Sequence, residues 1–159
     1  MQAYYALTAN SEPKSQSQNF DETTDISPET FLSALLHGDT SDLVDRFFEE
    51  EKNSKLVILD VRSPQEAEDC REMAELTKYS FKAEIINIPT SQLLHMNKKS
   101  LKRHFGVQEA DTIICFCAGG NRSAQGTKKL RALGFDCYNL FGGVKKLAKR
   151  GMRKIFLKA

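Results

Sequence analysis

The sequence predicts an α/β domain with a mainly parallel central sheet and helices on both faces. Three observations carry that prediction. The runs Leu56 to Leu59 and Thr112 to Phe116 are continuously apolar rather than alternating, as expected of parallel strands covered on both sides. Between and around them lie segments whose apolar residues recur at helical spacing. The second run opens into Cys117-Ala118-Gly119-Gly120-Asn121-Arg122-Ser123 and then into a new helical stripe, which reads as strand, tight loop and helix.

With 159 residues the chain fits one domain, large enough to bury a core without disulfides or metal. Charge is nearly balanced, 23 basic against 21 acidic residues, so nothing global calls for nucleic acid. No apolar stretch is long enough for a membrane span. Met1 to Asn10 lacks the basic start and apolar centre of a secretory signal. Cysteines at 70, 115, 117 and 137 follow neither a disulfide framework nor a zinc spacing, so no metal is expected and the reducing cytoplasm is the expected compartment.

Residues 1–25 are poor in apolar groups after Leu7 and are read as a disordered tail, with 26–159 as the domain. Ser27-Pro28-Glu29 starts a first helix as cap, first-turn proline and early acid; Phe31, Leu32, Leu35 and Leu36 form its apolar stripe and Gly38 its stop. A second stripe, Leu43, Val44, Phe47 and Phe48, follows Thr40-Ser41-Asp42. The strand from Leu56 ends at Asp60-Val61-Arg62, and Ser63 with Glu66 forms a capping box for the next helix. That helix carries Ala67, Cys70, Met73 and Ala74 at helical spacing, so Cys70 is read as a core residue.

Ala83 to Ile88 makes another buried strand, stopped by Pro89. Ser91 is read as the cap of one helix reaching about Phe105, with Leu94, Leu101 and Phe105 inward. His95 and His104 on this basic helix have no Cys or carboxylate at a ligand spacing and are read as solvated or structural. After the active loop, Ala124, Thr127, Leu130 and Leu133 mark the inner face of a helix ended by Gly134. Asp136 to Leu140 is the last strand, and Gly142-Gly143 turns it into a terminal helix whose lysines and arginines form a solvated basic face, with an acidic partner as the alternative.

The chemistry concentrates at the loop. Gly119 and Gly120 tolerate backbone angles that other residues resist, so peptide N–H groups there can turn inward into an anion-binding nest. The first turn of the following helix adds unsatisfied donors, and Arg122 adds a permanent positive charge. Such surroundings favour a thiolate at Cys117 and stabilise an anion carried on its sulfur. Ser123 can donate to that sulfur or cap its own helix. Cys115 and Cys117 point the same way, but Cys115 stays in the sheet and is read as buried, as is Cys137.

This loop, preceded by an apolar strand and followed by a helix, resembles the active-site loop of rhodanese-like sulfurtransferases. Three further pieces agree in order: Leu59-Asp60-Val61-Arg62 with Glu66, Ile86-Asn87-Ile88-Pro89, and Leu140-Phe141-Gly142-Gly143-Val144. The resemblance runs from about Ile26 to Gly151. It implies a rhodanese-like fold, Cys117 as the catalytic nucleophile, residues Ala118, Gly119, Gly120, Asn121, Arg122 and Ser123 as the anion-binding loop, and Asp60 and Arg62 as supporting residues, or else as a purely structural pair. Within this fold the sulfurtransferases have four residues between Cys and Arg and the related phosphatases and arsenate reductases five. Cys117 to Arg122 leaves four.

The resemblance therefore implies transfer of a sulfane sulfur through a Cys117 persulfide, with a small anionic donor or a protein persulfide or thiol as partner and no cofactor. The sequence departs from the family between Ala67 and Lys82, where the usual Gly-His-Ile and Gly-Ala are missing, and at Leu147, where a Trp is common. A catalytically silent module that binds another protein is the alternative, with phosphatase or arsenate reductase chemistry third. Neither donor, acceptor nor oligomeric state is written in the sequence.

Overall fold

The computed structural model describes residues 19–37, 55–69, 71, 73 and 83–149. Expectations for the tail before Asn19, the stop at Gly38, the stripe Leu43 to Phe48, Cys70, Ala74 and most of the segment to Lys82, and the basic residues from Arg150 onward lie outside these.

Five strands form one sheet: β1 Asp25–Ile26, β2 Leu56–Asp60, β3 Ala83–Asn87, β4 Thr112–Phe116 and β5 Asp136–Leu140, in the order β1-β5-β4-β2-β3, with every pairing parallel. The central strands β2 and β4 are buried at every residue, as their unbroken apolar runs require. Their register pairs Leu56 with Thr112 and Asp60 with Phe116. Strand β3 is a partly exposed edge strand, contrary to the expected burial, because nothing among the described residues pairs beyond it.

The chain steps from β2 out to β3 and returns to lay β4 on the other side of β2. Connections leaving the carboxyl ends of β2 and β4 thus diverge, and this reversal is where parallel α/β sheets open a crevice. The loops after Asp60 and after Phe116 flank it.

Helices cover both faces. Helix α1, Pro28–His37, starts as expected, with Ser27 Oγ accepting from Thr30 N at 3.1 Å, and packs Phe31 and Leu35 against Ile58, Ile114, Phe116 and Leu140. On the opposite face Leu93, Leu101 and Leu130 meet Val57, Leu59, Ile113 and Cys115. Alternation along β4 sends Ile114 and Phe116 one way and Ile113, Cys115 and the following Cys117 the other.

Several elements differ from the sequence reading. Residues 19–25, assigned there to the tail, pack on the domain and Asp25 enters the sheet: Asn139 N donates to Thr24 O at 2.8 Å, Phe20 meets the Phe141 ring edge-on, and the Arg131 guanidinium donates to Thr23 O at 3.0 Å. A two-residue strand is too short for periodicity to reveal. The expected helix from Ser91 to Phe105 is two, α3 Thr90–Leu93 and α4 Lys98–Phe105, because Asn97 and Ser100 form a capping box that restarts the chain. Leu94 therefore falls in the break and is exposed, not inward. His95 and His104 are exposed, as expected. Helix α2 is Pro64–Asp69, with the Ser63–Glu66 capping box formed in both directions, at 3.0 and 3.1 Å.

Candidate active site

Helix α5, Asn121–Ala132, begins immediately beyond the loop that follows β4. Its buried stripe is Ser123, Gly126, Thr127 and Leu130; Ala124, expected inward, is exposed. Gly126 is where the helix comes closest to the sheet, since a Cβ there would lie 3.2 Å from Cys115 Sγ and 3.0 Å from Leu93. This approach sets the first turn of α5 over the end of β4.

Cys117 lies at the floor of that turn, 1% exposed. Its sulfur receives the backbone N–H of Gly120 at 3.1 Å and of Ser123 at 3.4 Å, and the Ser123 hydroxyl is 3.3 Å away. Inward-turned peptide hydrogens are therefore present, but they come from Gly120 and Ser123 rather than from every residue of 118–122. Gly120 has φ +106°, the left-handed region that aims its N–H at the sulfur. Gly119 does not share this conformation, so the expectation that both glycines supply unusual backbone angles holds for Gly120 alone.

A second device holds the loop from outside. The carbonyl oxygen of Cys117 accepts from Val144 N at 3.0 Å and that of Ala118 from Lys145 N at 3.1 Å. Both donors belong to helix α6, Gly143–Leu147. With its carbonyls tied down there, the loop presents N–H groups on the sulfur side. Gly143, φ +67°, is required by contact as well as by angle, since a Cβ would stand 2.4 Å from Ala118 O and 2.5 Å from Cys117 O. This is the physical content of the Gly142-Gly143 motif.

The Arg122 guanidinium forms a two-point ion pair with Glu66, Nη1 to Oε1 at 2.7 Å and Nη2 to Oε2 at 3.0 Å. The pair raises the pKa of Arg122 and holds the Glu66 carboxyl at about 2, through the Arg122 hydrogen bond first and the Ser63 N–H second. Glu66, explained by the sequence as a cap alone, thus also docks α2 against the active loop. A cap residue facing the loop across the crevice is visible only once β2 and β4 are adjacent.

Asp60 and Arg62, expected to support the site, form a buried clasp of their own. Arg62 Nε and Nη2 donate to the two Asp60 oxygens at 2.9 Å each, and Arg62 N donates to Oδ1 at 3.0 Å. The guanidinium lies over the Phe116 ring, 5.2 Å from its centroid, just before Cys117. Asn87 Nδ2 donates to the carbonyls of Asp60 and Arg62, fixing the turn. The clasp shapes the wall of the crevice at the end of β2.

Ser123 does not cap α5, whose N-cap is Gly120; its hydroxyl lies between the Cys117 sulfur and Asn139 Oδ1, the latter at 2.5 Å. Asn139, 3% exposed on β5, carried no signal in the sequence. Asn121, by contrast, is exposed. Cys115 is fully buried, and burial, with Cys137 alongside, pushes its pKa well up. It is a core thiol. Among the described residues no group of His, Cys, Asp and Glu side chains could hold a metal ion, and no helix is long and apolar enough to cross a membrane.

A profile of the rhodanese-like domain family matches residues 40–150. The fold is similar to that of an uncharacterized protein from Saccharomyces cerevisiae, with TM-score 0.55 and 17% identity over 82% of this chain and 95% of that one. It is similar to a human single-domain sulfurtransferase, with TM-score 0.50 and 23% identity over 80% of this chain and 96% of that one. A Rhodopseudomonas palustris protein of unknown function, described as a possible tyrosine phosphatase, gives TM-score 0.50 and 20% identity over 80% of this chain and 81% of that one. At such identities the likeness concerns the fold, which hosts more than one chemistry. No curated protein sequence matches the chain significantly.

Proposed function

The chain belongs to the rhodanese-like domain family, and from its loop we propose that it is a sulfurtransferase or persulfide carrier acting through Cys117. The observation that carries this reading is the pair of peptide hydrogens, from Gly120 and Ser123, directed at the sulfur that ends β4. The loop has four residues between Cys117 and Arg122, a small cradle that suits one transferred sulfur atom better than a tetrahedral phosphate.

In the proposed reaction the Cys117 thiolate attacks the outer sulfur of thiosulfate. The new S–S bond forms as the sulfur–sulfite bond breaks, and sulfite leaves with the electron pair. An acceptor thiolate or cyanide then attacks the outer sulfur of the Cys117 persulfide, taking it as a persulfide or thiocyanate and returning the Cys117 thiolate. Splitting the transfer into two displacements at one nucleophile is covalent catalysis, and fixed N–H groups at the sulfur stabilise the anion at both stages. A protein persulfide fits the same step as donor, its own thiolate leaving in place of sulfite; with mercaptopyruvate the carbon–sulfur bond breaks instead and pyruvate leaves as its enolate. Cys115, Cys117 and Cys137 are all free thiols, which supports a reducing, cytoplasmic setting.

The experiment is intact-mass analysis after incubation with thiosulfate. A gain of one sulfur, absent in Cys117→Ser, is the expected result; no adduct on folded protein would overturn it. The burial of Cys117 and the engagement of Arg122 by Glu66 favour, as second reading, a silent module that binds another protein. That reading predicts no adduct. Turnover of an aryl phosphate would point to a phosphatase instead.

A further inference from the structure

We infer that Asn139 and Asp25 are positioning residues that fix the direction of the Ser123 hydroxyl, making it a hydrogen-bond acceptor toward the Cys117 thiol. The inference deepens the proposed function and rests on Cys117 being the reacting group.

Three acceptors lie within reach of the Ser123 hydroxyl: Asn139 Oδ1 at 2.5 Å, Cys117 Sγ at 3.3 Å and Gly120 O at 3.3 Å. A hydroxyl has a single proton to donate. Its direction is decided one residue further away. Asp25 Oδ1 lies 3.0 Å from the Asn139 side chain, and a carboxylate only accepts, so the Asn139 amide nitrogen must face it. The second Asp25 oxygen accepts from Asp21 N at 2.8 Å, which holds the carboxylate in place. With its nitrogen committed to Asp25, Asn139 turns its carbonyl oxygen to Ser123. At 2.5 Å a hydroxyl oxygen and a carbonyl oxygen need a proton between them, and Ser123 supplies it.

What Ser123 then offers Cys117 is a lone pair. The neutral thiol can donate to it, whereas the thiolate keeps only the N–H groups of Gly120 and Ser123 unless the hydroxyl leaves Asn139. Asn139 is 3% and Ser123 0% exposed, so water does not substitute freely for either partner. The device thus directs the Ser123 proton away from the sulfur, and a bound anion or partner must turn the hydroxyl from Asn139 to draw that proton toward it.

Charged and titratable groups face this site from every packed element. They are Arg122 from α5 with Glu66 from α2, Arg62 after β2, Cys115 on β4, Cys137 on β5, and Asp21, Lys128 and Arg131 around the cavity that Asp25 and Asn139 also line. All are left in place by the variants below.

The test is the ionisation of Cys117 followed by NMR of carbon-labelled cysteine, with no sulfur donor present, in the full chain. Asn139→Leu removes the competing acceptor, and Asp25→Asn lets the Asn139 amide reverse. Each frees the Ser123 proton for the sulfur, so each variant's ionisation curve is expected at lower pH than the wild type's, by roughly tenfold in proton concentration. Both displacements vanish in a Ser123→Ala background. Asp25 is partly exposed on an edge strand, so Asp25→Asn reads the effect even if Asn139→Leu perturbs the buried strand. A curve unmoved in the folded variants, or a displacement of equal size without the Ser123 hydroxyl, overturns the inference. A chain that gains no sulfur from thiosulfate yet shows the Ser123-dependent displacement would overturn the sulfur-transfer reading and leave this one standing.

Discussion

Glu66 and Arg122, 56 residues apart in sequence, close a two-point ion pair across the crevice between the ends of β2 and β4, at 2.7 and 3.0 Å. Because Glu66 also accepts from Ser63 N in its capping box, one carboxylate both starts helix α2 and fastens it to the active loop.

That pair has a pH signature. The Glu66 pKa is depressed from 4.5 to about 2, so its contribution to stability is fully present above the unfolded value and is lost as pH falls from about 4.5 to about 2. Glu66→Gln should flatten this acid limb, read as the denaturant midpoint against pH. Both side chains are about 40% exposed, so the loss at neutral pH should stay below about 1 kcal/mol. An acid limb identical in wild type and variant would show that the pair contributes nothing.

Gly119 and Gly120 are adjacent but should respond oppositely to alanine. Gly119→Ala meets no atom within 4 Å and should change stability by less than about 0.5 kcal/mol. Gly120→Ala puts a Cβ on a residue at φ +106°, 3.1 Å from Gly142 N, and should cost about 1–2 kcal/mol while disturbing the N–H that faces the sulfur. Urea unfolding and persulfide yield from thiosulfate measure the contrast; equal effects at the two positions would contradict it.

Gly143→Ala should damage the active loop from the far side. The added Cβ collides with the carbonyls of Ala118 and Cys117, which α6 otherwise holds through Val144 N and Lys145 N. Together with the left-handed backbone this should cost at least about 2 kcal/mol and lower the yield of persulfide on Cys117, though Gly143 touches no sulfur. Wild-type stability and yield in this variant would argue against such anchoring.

Cys115→Ala should separate the two neighbouring thiols. Burial pushes the Cys115 pKa well up, which disfavours its thiolate relative to an ordinary cysteine. The variant should keep the full one-sulfur mass gain and lose about 1 kcal/mol from the small void left behind. Loss of the mass gain in a folded Cys115→Ala protein would make Cys115 a participant.

The strands β2 and β4, the Ser27 and Ser63 caps and the burial of Cys115 were legible because each rests on residues within one or two turns of each other. An unbroken apolar run needs cover on both faces wherever it sits, and a capping side chain bonds a backbone group three residues on. The loop after β4 was legible for the same reason, since a cysteine, glycines, an arginine and a helix start are contiguous. Strand β1 and the break at Asn97 were not, the first because two residues have no period and the second because a local capping box interrupts a longer apolar stripe.

Sequence alone determined the sheet type and the loop with its cysteine, all properties of short-range pattern. Folding decided which groups that loop would meet. Arg122 turned to Glu66, Asp60 and Arg62 closed on one another, and Asn139 and Asp25 came to stand behind Ser123. Each outcome depends on parallel strands from distant parts of the chain ending side by side. In that crevice a buried polar group must find its partner among whatever the neighbouring strand ends present, and no local spacing encodes that choice.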